Sequence, residues 1–234
     1  MRAVLKKELR QFAVTPVGAV FVAAYFVLSG YYFTVGILLP ARSDLPGLFG
    51  SVFSVLMVLI PLLTMRSFAE ERRQKTDQLL LTSSESVFRI VLGKFLAAYI
   101  VFLAGSLSLA APVILLGRYG ALDVLETIGS FLALLLVGGA FIACGLFASA
   151  ITENQIVAAV VSYVITLGLW LLDFLRYYIG DGALAGVIRY LSFRAHFSLL
   201  GSGVFSLATA VFFLSLMFLM LSLTCLSVQY RRLK

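Results

Sequence analysis

Residues 66 to 83 read Arg-Ser-Phe-Ala-Glu-Glu-Arg-Arg-Gln-Lys-Thr-Asp-Gln-Leu-Leu-Leu-Thr-Ser. The bases Arg66, Arg72, Arg73 and Lys75 and the acids Glu70, Glu71 and Asp77 share one helix-length stretch, which ends in the apolar triplet Leu79-Leu80-Leu81. Both charge signs beside an apolar end suit recognition: leucines anchor in a groove while the charges fix register. A solvated loop helix with no partner is the plainer reading of the same residues. Bond-making chemistry is sparse elsewhere. The sole histidine, His196, precedes Gly201-Ser202-Gly203, a spacing that invites comparison with intramembrane serine proteases. The motif lies at the head of the last apolar stretch, and no second stretch carries a histidine to face Ser202. A histidine at headgroup level in a glycine-rich bend is therefore the preferred reading. The chain has no Walker loop, dinucleotide-binding glycine turn or metal-ligand cluster, so it is not expected to hydrolyse a nucleotide or to bind a cofactor itself.

The elements that hold these residues are built for lipid. The chain is 62% hydrophobic and 12% charged with mean hydropathy +1.06, where a soluble domain is about half apolar and about a quarter charged. A hydrocarbon core of about 30 Å takes roughly 20 helical residues. Six stretches meet that length: Val17–Leu39, Leu48–Met65, Phe95–Leu116, Ile128–Ile151, Ile156–Leu175 and Val204–Val228. Continuous rather than alternating apolarity favours helices over a barrel. The expected fold is thus an all-α integral membrane protein, one transmembrane domain over 1–234. Pro61 and Pro112 fall inside spans, where neighbouring helices re-satisfy freed carbonyls.

Six spans put both termini on one side. That side holds Arg2, Lys6, Lys7, Arg10, Arg66, Arg72, Arg73, Lys75, Arg89, Lys94, Arg231, Arg232 and Lys234; the other holds Arg42, Arg118, Arg176, Arg189 and Arg194. The bias assigns the termini and the charged segment to the cytoplasm, at an inner membrane. It also accounts for most of the net +7 without a nucleic-acid partner. No cleavable signal peptide is expected. Over residues 1–14, Val4, Leu5, Leu9 and Phe12 share one helical arc and Lys6, Lys7 and Arg10 the opposite one, the pattern of an interfacial helix on anionic lipid. Residues 176–203 carry apolar groups at helical spacing among glycines, which predicts short membrane-dipping helices on the outer side. Trp170, Tyr177 and Tyr178 mark the outer headgroup level. Lys94, at the inner start of the third span, is expected to snorkel to the interface, as is Asp173 at the outer end of the fifth. Cys144 and Cys225 both fall within spans, as small buried hydrophobes. Gly138, Gly139, Ala143 and Ala148 allow close helix approach, within one bundle or between copies.

This order of parts resembles the membrane subunit of type-2 ABC exporters. The resemblance covers essentially the whole chain, and its specific residues are Glu70-Glu71-Arg72-Arg73, Thr76, Leu79-Leu80-Leu81-Thr82 and Gly93-Lys94. Within that family the chain is most similar to short permeases of the gliding-motility and nitrous-oxide-reductase-maturation branches. It departs from them at Lys75, where a glycine is frequent, and at Ser84, where a proline is. The resemblance implies a permease subunit, without catalytic residues, that couples ATP hydrolysis in a separate ATPase dimer to export of an amphipathic or lipid-like cargo. ATP and Mg²⁺ would be held by that partner, and a second copy or a related permease would complete the pair. Residues 66–89 would form the coupling-helix loop, with Glu70, Glu71, Arg72, Thr76, Leu79 and Leu80 at the ATPase and Glu153 contributing from a second inner turn. A central path would be lined by Tyr25, Phe33, Phe53 and Trp170. A non-transporting membrane scaffold and a small channel are the rival readings.

Overall fold

A computed structural model describes residues 1–41, 43–75, 86–119, 123–178 and 192–232, with backbone alone for 172–178 and 232. All regular structure among them is helical. Helix α1 (Arg2–Val14) stops at Thr15, whose extended backbone (φ −84°, ψ 148°) is what a following proline imposes, and Pro16 opens α2 (Pro16–Phe33). A π turn over Thr34–Leu38 ends α2. Asp44 caps α3 (Leu45–Thr64) by accepting from the Gly47 amide at 2.9 Å. A five-residue helix, α4 (Ala69–Arg73), follows, then α5 (Val87–Ser106).

The stretch containing Pro112 is broken. A 3₁₀ turn, Leu107–Leu109, separates α5 from α6 (Ala110–Arg118), because proline offers no amide and crowds the carbonyl four residues before it. Asp123 caps α7 (Val124–Ile151), accepting from the Leu125 and Glu126 amides at 2.9 and 3.3 Å. Helix α8 (Gln155–Tyr178), a short α9 (Phe193–Gly201) capped by Ser192, and α10 (Leu207–Arg232) complete the description.

Five helical stretches are long and apolar enough to cross a membrane: Pro16–Leu38, Leu45–Arg73, Val87–Arg118, Val124–Ile151 and Leu207–Arg231. That is the build of a multi-pass membrane protein. The sequence led us to expect six. Helix α8 has 24 residues, but its described apolar side chains end at Leu171, a shorter stretch than the others.

Helix α7 is the pillar, packed by α3, α5, α8, α9 and α10. Its small residues make that possible. Gly138 lies under the Phe102 ring, Gly139 under Met217, and Gly145 against Thr64, so a larger residue at any of them meets a neighbour. Ala143 and Ala148 are fully buried as well. These residues are used inside the bundle, which decides between the two uses the sequence allowed. Phe141 of α7 stacks on Phe193 at 5.8 Å, and Phe53 meets Phe197 at 5.2 Å, so α9 is anchored by its phenylalanines against α7 and α3. The peripheral helices α2 and α10 show the reverse pattern: Val20, Val27, Phe218 and Leu226 stand exposed, as lipid-facing side chains do.

Candidate functional site

The charged segment begins where α3 stops. Thr64 donates back to the Ile60 carbonyl at 2.9 Å, and the chain turns through residues 65–68. Those turn residues need partners, and Ser149 of α7 supplies them. Its hydroxyl accepts from the Phe68 and Ala69 amides at 3.0 and 3.1 Å and donates to the Met65 carbonyl at 3.1 Å. Three backbone groups left open between two helices are satisfied by one side chain.

Arg72 returns the service. Its guanidinium donates to the Ala150 and Thr152 carbonyls at 2.7 and 3.0 Å and to Glu153 Oε1 at 3.4 Å. The Ala150 and Thr152 carbonyls belong to the last turn and cap of α7, where a cation also meets the negative end of the helix dipole. Arg231, near the end of α10, comes within 3.9 Å of the same Glu153 carboxylate. Arg66 donates from Nε to Gln155 at 3.0 Å, tying the end of α3 to the start of α8.

The centre of the site is Lys94, near the start of α5 and only 1% exposed. Its ammonium donates to Glu8 Oε1 of α1 at 2.8 Å and to the Ser67 carbonyl at 2.6 Å, and pairs with Glu71 Oε2 of α4 at 2.8 Å. It also lies 4.9 Å from the Phe68 ring centroid. Lys7 holds the other oxygen of Glu71 at 2.8 Å. Two acids and two bases from three helices thus close into a neutral cluster. Burial alone would push the Lys7 ammonium down, but the hydrogen bond and charge of Glu71, with Glu8 nearby, carry it above its ordinary value. Lys94 does not snorkel. Val4 packs over Gly93 next to it, which leaves no outlet along that side, and two carboxylates make burial tolerable.

Helix α1 also differs from the wheel drawn from its sequence. Val4, Leu5, Leu9 and Phe12 are half-buried, and the most deeply buried side chain is Glu8. Apolarity could not reveal that; a lone acid among four bases was the available signal.

The predicted partner-facing residues divide. Glu71 and Arg72 turn inward, into the cluster and onto α7 respectively. Glu70 is half-buried and accepts from Gln74. Glu153 is exposed apart from its ion pairs. Thr76, Leu79 and Leu80 lie outside the described residues. Arg73 and Lys75 stand exposed, and Lys75 takes a left-handed backbone (φ 56°) where α4 ends. That is the conformation glycine adopts most easily.

The predicted path residues divide too. Phe53 and Trp170 line one cavity of about 580 Å³ at the opposite end of the bundle. Tyr25 is instead buried against Phe102 and Phe21, and Phe33 packs half-buried on the core. His196 bonds Thr209 Oγ1 at 3.0 Å and stacks on Phe212, while Ser202 donates to the Leu199 carbonyl at 2.9 Å. Ser202 and His196 therefore do not pair with each other. The missed residues, Lys7, Glu8, Lys94 and Ser149, all act through partners more than 60 positions away in sequence.

No protein-family model matches the chain, and no curated protein matches it.

Proposed function

We propose that the chain is the membrane-spanning permease subunit of an ATP-driven exporter, working with a separate ATPase and a second permease copy. The observation that carries this reading is the clamped position of α4. A helix that receives force from a cytoplasmic partner must be tied to the spans it moves. Helix α4 is tied to α1 and α5 through Glu71, Lys7 and Lys94, and to α7 through Arg72 and Ser149. A push on the exposed Arg73–Lys75 end and the Leu79-Leu80-Leu81 segment that follows is therefore delivered to several spans at once. Helix α8 serves as the sixth crossing. Such a count agrees with the gathering of α1, α4, the α7–α8 turn and the end of α10 through Lys7, Arg72, Glu153 and Arg231. That end is cytoplasmic by its excess of Lys and Arg. The chain itself performs no catalysis; ATP and Mg²⁺ bind the partner.

Co-expression with the ABC-type ATPase encoded nearest to it tests the reading. Arg73→Glu with Leu80→Asp should abolish co-purification, since an unpaired charge at a buried anchor costs several kcal/mol and each ~1.4 kcal/mol is tenfold in affinity. Arg118→Glu, at the opposite end, should leave it intact. Wild-type recovery of the ATPase by the double variant would remove the coupling assignment and the exporter reading with it.

A further inference from the structure

The cavity that Phe53 and Trp170 share lies among the outer ends of α3, α7, α8 and the short α9. At about 580 Å³ it is large enough for a small ligand or a lipid headgroup. Its wall holds one acid and one base on different helices: Glu126 in the first turn of α7, half-buried, and Arg194 in the first turn of α9. Phe53, Phe197 and Trp170 give it apolar surface as well.

Four serines also line it, and their hydrogen bonds decide what they can offer. Ser51 donates to the Gly47 carbonyl at 3.0 Å, Ser54 to Gly50 at 3.5 Å, Ser198 to Ala195 at 3.0 Å and Ser202 to Leu199 at 2.9 Å. Ser51, Ser198 and Ser202 commit their protons to their own helix or turn and so present lone pairs to the cavity, while Ser54, at 3.5 Å, can still act in either role. Together with the Glu126 carboxylate this makes a wall of acceptors, matched by a cation that carries N–H donors. A quaternary ammonium has none and cannot satisfy them. Arg194 already interacts within the protein, but its guanidinium carries five N–H donors that an anion can share, in the forked geometry that suits phosphate or carboxylate.

We infer that this cavity binds the headgroup of a zwitterionic amphiphile: a primary ammonium against Glu126 and the serines, a phosphate or carboxylate against Arg194, and carbon against the aromatic rings. As a statement about cargo it rests on the exporter reading; as a statement about binding it does not need an ATPase.

Trp170 is the only tryptophan in the chain and lines the cavity, so its emission reports on this site alone. The purified protein is titrated with dihexanoyl phosphatidylethanolamine, dihexanoyl phosphatidylcholine and chain-free phosphoethanolamine. The ethanolamine lipid should shift Trp170 emission saturably. The choline lipid and the chain-free headgroup should bind about tenfold more weakly or worse, the loss expected when charged hydrogen bonds or apolar contact go missing. Glu126→Gln should weaken the ethanolamine lipid by a similar factor. Gly50→Leu should abolish the response by filling the cavity: no atom lies within 4 Å of a Cβ built there, and leucine favours a helix. A melt of each variant matching the wild type keeps misfolding out of the comparison. The inference is overturned if the ethanolamine lipid gives no saturable shift, if the choline lipid or free phosphoethanolamine binds equally well, or if Gly50→Leu binds like the wild type. Wild-type recovery of the ATPase by the Arg73→Glu, Leu80→Asp variant alongside a normal titration would remove the exporter reading and leave the binding site standing.

Discussion

Replacing Lys94 by methionine shortens the unbranched side chain by one heavy atom and removes one charge. The structure fixes what that leaves behind: Glu8 at 4% exposure, Glu71 at 7%, and the Ser67 carbonyl without its donor. Lys7 still holds one oxygen of Glu71 from the surface, but nothing among the described contacts replaces Lys94 at Glu8. Breaking a buried pair by removing one partner costs about 3–5 kcal/mol. At roughly 2–4 °C per kcal/mol for a chain of this size, melting should fall by roughly 6–20 °C. The molecule carries its own reporter. Cys144 and Cys225 are its only cysteines and both are buried, so a thiol-reactive dye should label the detergent-solubilised protein mainly on unfolding. The pH dependence has a definite sign. Burial alone would raise the Glu71 carboxyl, but Lys94, with Lys7, holds it below its ordinary value, so removing Lys94 should move it up. Protonation then favours the folded variant, so the deficit should shrink as pH falls into the carboxylate range and grow as pH rises out of it. Adding Glu8→Gln and Glu71→Gln should recover most of the loss, because a neutral set has no buried charge to strand. A Lys94→Met melt within about 2 °C of the wild type at neutral pH would refute the buried-hub account.

Two further substitutions test how α4 is held. Ser149→Ala strands two amides and one carbonyl in a buried turn and should cost about 1–3 kcal/mol, seen in the same dye melt as a lower midpoint. Lys75→Gly relieves a left-handed backbone at an exposed position and should be neutral or stabilising by up to about 1 kcal/mol, whereas Lys75→Val should be clearly destabilising.

How much of this was legible in the sequence depends on the distance over which each residue acts. The apolar stretches are local patterns, and five of them appear as long helices. The caps at Asp44 and Asp123 and the proline break before α6 are local as well. The charged segment was visible, but which way its charges turn was not. Glu71 and Arg72 look identical to partner-facing residues until Lys94, Ala150 and Thr152 are brought beside them. Reading Lys94 as a snorkelling residue failed for the same reason, since its acids come from α1 and α4. Phe53 and Trp170 come to one cavity because α8 packs on α3; Tyr25 faces α5 instead, a choice of neighbour that spacing along one helix does not encode.

The reciprocal contact between α4 and the end of α7 has a consequence for biosynthesis. Helix α4 is five residues long, too short to persist alone, and the serine and carbonyls that hold it lie about 80 positions later, at 149 to 152. At roughly 5–20 residues per second, a ribosome takes about 4–16 s to supply them. During that interval the second span is already made while its charged exit has no fixed shape. The segment thus acquires its final form only when the fourth long apolar helix is in place, so a chain truncated before Ser149 should expose residues 65–75 to proteases that the complete chain resists.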